Sequence, residues 1–209
     1  MEKGKLRTNR IKRKRNSVIA FNAEGINKTE SIYLNNFSSR HLNIKMAKGN
    51  STDPIGMYNE LIKYCKEEDI KKEYGDKIYL FLDTDLRDDK IKIIKKLIEK
   101  NNDEIELIIS VPTFEVWYLN HFRFSSREFS NSKSVLDDLE KYINSYSKSE
   151  NYYDILKDKT SNAIDNSISL EEYHKNNNSK KELYECNPYT NMYKVINEII
   201  ELYKNNENE

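Results

Sequence analysis

Apolar residues come along the chain in short clusters separated by polar stretches, and the spacing within each cluster distinguishes strand from helix. Ser17-Val18-Ile19-Ala20-Phe21-Asn22-Ala23 reads as a buried strand, followed by Glu24-Gly25 and a helix from about Thr29 to Phe37. His41 to Met46 alternates as a second strand. Asp53-Pro54 has the form of an N-cap with proline at the first helical position, and the helix behind it carries Tyr58, Leu61, Ile62 and Cys65 on one face. Lys77 to Asp83 is the clearest strand, and Ile91, Ile94, Leu97 and Ile98 then repeat at helical spacing. Ile105 to Val111 forms a fourth strand ahead of Pro112-Thr113 and an aromatic helix with Phe114, Trp117, Tyr118 and His121. Four strand-then-helix units in a row predict an α/β fold with a mainly parallel sheet flanked by helices, because parallel strands need crossover connections.

From Ser125 onward the pattern is helical. Val135, Leu136, Leu139, Tyr142 and Ile143 make one apolar face, and Met192, Val195, Ile196, Ile199, Ile200 and Tyr203 another. Between them, about Ser145 to Lys181 is rich in Ser, Asn, Lys and Tyr with weak periodicity, and is expected to be an insertion or mobile helical cap. The 209 residues suit one domain: an arm over 1–16, an α/β core over 17–124, and a helical part of the same domain over 125–209. The longest apolar run, Ile78 to Leu82, is far shorter than the roughly 20 residues that span a bilayer. With no apolar signal core near the start, the cytoplasm is the expected location and no membrane partner is expected. Cys65 and Cys186 form no Cys-x-x-Cys motif and are expected to be reduced.

The formal charge is zero, but residues 1–16 hold eight Lys/Arg against Glu2, leaving the rest of the chain at −7. An arm of this kind attracts polyanions, so Lys12, Arg13, Lys14 and Arg15 are candidate nucleic-acid contacts; a solubilising tail is the alternative.

Ligands of open parallel sheets bind beyond the carboxyl ends of the strands, and the acids gather there. Glu24 follows the first strand, Asp83 and Asp85 close the third, and Glu115 follows the fourth. Residues two apart on an extended strand point the same way, roughly 7 Å apart, so Asp83 and Asp85 can converge on a hard cation such as Mg²⁺. The alternatives are caps: Asp85 with Asp88, and Asn27 with Glu30. Lys28, at a helix start, is either a phosphate contact or a solvated lysine. Glu115 is also where a helix dipole favours a carboxylate. Trp117 and Tyr118 read as core, and His121 as a hydrogen-bonded structural histidine.

Glu24-Gly25-x-x-Lys28-Thr29-Glu30, Phe81-Leu82-Asp83-Thr84-Asp85, the run from Pro112 to Phe122, and Asn187-Pro188-Tyr189-Thr190 together resemble the ordered signatures of RloB-like proteins, from Asn16 to the final helix. The resemblance implies a Toprim-like core with Glu24 as its glutamate and Asp83 and Asp85 as its Asp-x-Asp pair. It implies metal-dependent phosphodiester cleavage of RNA, tRNA or DNA with Mg²⁺ or Mn²⁺, catalysed by Glu24, Asp83 and Asp85, in defence against phage; Glu115, from its place after the fourth strand, is a further catalytic candidate. Glu24, Asp83 and Asp85 would hold the metal. A defence-system partner or homo-oligomerisation would fit such a protein. Ala23, Thr84 and Val111 depart from the Cys, Arg and Asn usual in the family; none removes a ligand, but losing an Arg leaves open how substrate is held. A non-catalytic nucleic-acid-binding or sensor subunit is the alternative function, and phosphoryl or nucleotidyl transfer on the same metal site is a third.

Overall fold

The computed structural model describes residues 15–24, 29–47, 49, 51–101, 104–178 and 180–207, the side chains of 206 and 207 apart. Strands β1 (Ser17–Asn22), β2 (Leu42–Met46), β3 (Lys77–Asp83), β4 (Glu106–Val111) and β5 (Tyr189–Thr190) form one sheet in the order β2-β1-β3-β4-β5. The first four are parallel, and β5 is antiparallel to β4, with Ser110 opposite Thr190 and Val111 opposite Tyr189. The helices are α1 (Thr29–Asn35), α2 (Pro54–Glu67), α3 (Asp88–Lys100), α4 (Glu115–Asn120), α5 (Ser132–Leu139), α6 (Tyr153–Leu156), α7 (Thr160–Asn177) and α8 (Tyr193–Glu207).

Strand alternation divides the core in two. Ile19, Phe21, Tyr79, Phe81 and Ile108 face α1, α4, α5, α6, α7 and α8. Val18, Ala20, Ile78, Leu80, Leu82, Leu107 and Ile109 face α2 and α3 through Met57, Leu61, Cys65, Ile94 and Leu97. Both faces are covered, which is why β1, β3 and β4 read as continuous apolar runs. Asp53 caps α2 as expected, accepting from Gly56 N at 2.9 Å with Pro54 at the helix start. Both cysteines are free and buried. Among the described residues no helix is long and apolar enough to cross a membrane.

β5 is a short element that strand-length patterns do not reveal. Asn191 behind it completes the ladder with its side chain, accepting from Ile109 N at 2.7 Å and donating to Leu107 O at 3.0 Å.

Within the stretch expected to be an insertion or mobile cap, described residues reach the core. Tyr152, Leu156 and Ala163 lie in the larger core cluster, and α7 packs on α4. The buried stripe of α7 is Ala163, Ser167, Leu170 and His174, helical in spacing but half polar, so apolar periodicity misses it. Both polar members are satisfied. Ser167 accepts from Asn120 Nδ2 at 2.8 Å and donates to Ala163 O at 2.7 Å, while His174 Nε2 lies 2.7 Å from Pro188 O.

Candidate functional site

Because β1, β3 and β4 run parallel, their carboxyl ends share one edge, and Glu24, Asp83, Asp85 and Glu115 all follow from it. The chain leaves β3 through an unusual turn. Thr84 N donates to Ser110 O at 3.0 Å and Asp85 N to Pro112 O at 2.8 Å, after which Asp85 and Leu86 both adopt left-handed backbone, φ 50° and 56°. Asp tolerates this region; Leu does so at a cost of roughly 1–3 kcal/mol. The turn corrects two expectations. Asp85 is not the cap of α3, whose N-cap position is Arg87 with no side-chain bond. Nor does extended-strand geometry apply to Asp83 and Asp85: the turn between them sends the two carboxylates to different partners.

Asp83 joins Glu115. The Thr113 hydroxyl lies 2.9 Å from Asp83 Oδ2 and 2.7 Å from Glu115 Oε2. Glu115 is fully buried at the start of α4, and also accepts from Thr29 Oγ1 at 3.2 Å, from Tyr146 OH at 2.9 Å and from Lys148 Nζ at 3.1 Å. A threonine hydroxyl has one proton for two carboxylates, so its second short approach is made good when one carboxyl is protonated. Burial, then the charges of Glu30 and Glu115, push the Asp83 pKa well above the usual carboxylate range, while Lys148 pulls it back. Burial works against the Lys148 ammonium, but Glu115 outweighs it and raises the Lys148 pKa.

Asp85 joins Glu24 through Lys90. The Lys90 ammonium is 2.6 Å from Asp85 Oδ2 and 3.2 Å from Glu24 Oε2, and Ser132 donates to Asp85 Oδ1 at 2.9 Å. Burial pushes the Asp85 carboxyl up, yet the bonds from Lys90 and Ser132 prevail and hold it below its ordinary value. The four predicted acids thus form two pairs, each bridged by a lysine or a threonine that a carboxylate pattern does not reveal. Glu30, read as a capping residue, is buried beside this group and raises Asp83. Thr29 and Thr113 lie within the motifs named above, whereas Lys90, Ser132, Tyr146 and Lys148 carry none; the six come from five separate segments.

The donor set suits a hard divalent ion. Glu24 and Asp85 offer carboxylate oxygens on either side of one cationic nitrogen, and one or two carboxylates are the usual protein complement of Mg²⁺. Among the described residues, no group of three or more His, Cys, Asp or Glu is arranged to hold a metal.

Of the basic candidates, Arg15 lies away from this edge. Arg15 sits at the opposite end of the sheet, paired with Asp76 at 2.8 Å, donating to Asp69 O at 3.2 Å and lying over the Tyr74 ring. Lys12, Arg13, Lys14 and Lys28 fall outside the described residues. Trp117, Tyr118 and His121 are fully buried, and His121 Nδ1 is 2.9 Å from Trp117 O, as expected of core residues.

A family model described as RloB-like protein matches residues 20–199. Comparison with curated proteins and with solved structures gave no match.

Proposed function

The chain belongs to the RloB-like family, and from that premise we propose that it is a Mg²⁺-dependent Toprim-type nuclease cleaving RNA or DNA phosphodiesters in defence against phage. The observation that carries the reading is the meeting of Glu24, Asp83, Asp85 and Glu115 at one sheet edge, as two bridged carboxylate pairs. Glu24 and Asp85 would hold the ion, with Asp83 as the third acid of the set. When bound, Mg²⁺ supplies polarisation of a phosphoryl oxygen and a lower pKa for its water. Glu115 fixes the Thr113 hydroxyl and through it the Asp83 carboxyl, and Lys148 offsets the charge of the pair. Glu24, its side chain 36% exposed, takes the acid–base role that the resemblance implies.

A non-catalytic nucleic-acid-binding role is favoured by the ion pairs of Lys90 and Lys148, which neutralise part of the acidic group without a metal. Incubating the protein with RNA and DNA in Mg²⁺ or Mn²⁺, then in EDTA, separates the two. The nuclease reading expects metal-dependent cleavage that Asp83→Asn and Asp85→Asn each lower about a hundredfold or more. Asp89→Asn should change nothing, since Asp89 is an exposed partner of Arg87. Binding without cleavage in every condition would establish the other role.

A further inference from the structure

We propose that Lys90 sets the cation affinity of the acidic edge, its ammonium competing with a divalent ion for the same oxygens of Glu24 and Asp85. The inference rests on the nuclease reading for its purpose, but not for its test. Lys90 is the third residue of α3, in a first turn where the helix dipole disfavours cations. The two residues before it, Asp88 and Asp89, are the acids such a turn prefers and are exposed. Lys90 instead is drawn inward, its side chain 12% exposed, with its nitrogen 3.2 Å from Glu24 Oε2 and 2.6 Å from Asp85 Oδ2. Two carboxylates from different segments, β1's exit and β3's exit, are thereby held around one positive charge.

An ammonium on a flexible four-carbon stem fills that place without being consumed by it. Being tethered, it is always present at high local concentration, so it relieves the repulsion between Glu24 and Asp85 when no metal is bound. A divalent ion offers twice the charge to the same oxygens and can displace it, whereas a monovalent ion has no such advantage. Lys90 therefore lowers the apparent affinity for every cation and favours divalent over monovalent ones.

The test is calorimetric titration with Mn²⁺, alongside thermal unfolding with and without the ion, of the full chain and three variants. Lys90→Met removes the competitor, and Lys90→Gln does so while keeping a hydrogen-bond donor, in case the methionine variant fails to fold. Lys90→Arg keeps the charge. Mn²⁺ should bind the Met and Gln variants about tenfold more tightly, the scale on which a neighbouring charge shifts such equilibria, and should bind Lys90→Arg as it binds the unmodified protein. Without metal, the neutral variants should melt lower and regain the loss on adding Mn²⁺. If the unmodified protein binds Mn²⁺ and the neutral variants bind no more tightly, Lys90 is a structural ion pair and the inference falls while the nuclease reading stands. If no form binds Mn²⁺, both fall together.

Discussion

Strand β3 begins and ends on an aspartate, Asp76 before it and Asp83 at its end, and the two are treated in opposite ways. Asp76, 1% exposed, accepts from Val18 N at 3.3 Å, from Lys71 N at 3.0 Å and from Arg15 Nη1 at 2.8 Å. Every bond comes from a group that has a proton to give, and one of them is a cation. Asp83 shares a single hydroxyl with Glu115 and lies in the field of Glu30. At one end donors outnumber the acid, and the carboxylate is a structural fastener. At the other, the donors Thr29, Tyr146 and Lys148 all go to Glu115, and Asp83 has only a share of the Thr113 hydroxyl and the backbone amide of Phe114 to set against two neighbouring acids. Which carboxylate the donors serve separates the two ends of the strand.

The sharpest break of this comparison would come from Asp76→Ala. It strands the backbone N–H groups of Val18 and Lys71 and removes the partner of Arg15, so unfolding free energy should fall by about 2–4 kcal/mol, read as a lower denaturant midpoint at unchanged slope. A decrease no greater than that of an exposed acid would erase the distinction.

Asp83→Asn should act the other way. Asp83 has a folded pKa above its ordinary 3.8, so its contribution to stability is full below that value and is lost as pH rises through the folded pKa. Removing its charge should therefore stabilise the metal-free protein at neutral pH by about 1 kcal/mol, a melting rise of about 2–4 °C. The gain should fade as pH falls toward 3.8. Destabilisation at neutral pH would mean that Asp83 is as well served as Asp76.

His121 sharpens the same contrast on α4's side of the core. Its Nε2 has no hydrogen-bond partner, and burial pushes its pKa from 6.5 down to about 4. The neutral ring's stability is present above 6.5 and is lost as pH falls from there toward 4. A slope of up to about 1.4 kcal/mol per pH unit should appear in that window, and His121→Gln should flatten it.

The smallest effect concerns the arm. Removing residues 1–14 leaves the Arg15–Asp76 pair in place, so melting should not change. The salt dependence of nucleic-acid binding should drop by about 0.9 in log–log slope for each phosphate that the arm had neutralised. An unchanged slope would make the arm a tail.

The α/β class and four parallel strands were legible because their signals are local: an apolar run, a cap such as Asp53, a crossover of helical period. The acids Glu24, Asp83, Asp85 and Glu115 were legible because strand ends in such sheets face one edge. What pairs them was not. Lys148 and Tyr146 meet Glu115, and Lys90 meets Glu24, only through tertiary folding, and nothing in their neighbours marks them. The mutual aim of Asp83 and Asp85 failed for a local reason, the left-handed Asp85–Leu86 backbone, which a non-glycine sequence does not announce. The stripe of α7 failed because Ser167 and His174 count as polar in any periodicity while being fully bonded inside the core.

The return of β5 gives the protein a schedule for its own synthesis. Thr190 and Asn191 bond to partners on β4 some 80 residues earlier, the two hydroxyls of Ser110 and Thr190 at 3.1 Å and Asn191 to Ile109 and Leu107. A ribosome adds about 5–20 residues per second, so β4 emerges roughly 4–16 s before the strand that closes its edge. Over that interval Tyr146 and Lys148 arrive partway, and α8, which covers the Ile19–Phe21 side of the sheet, arrives last. The acids and the side chains that pair them, from Thr29 to Lys148, are therefore all made before the strand that closes the sheet beyond β4.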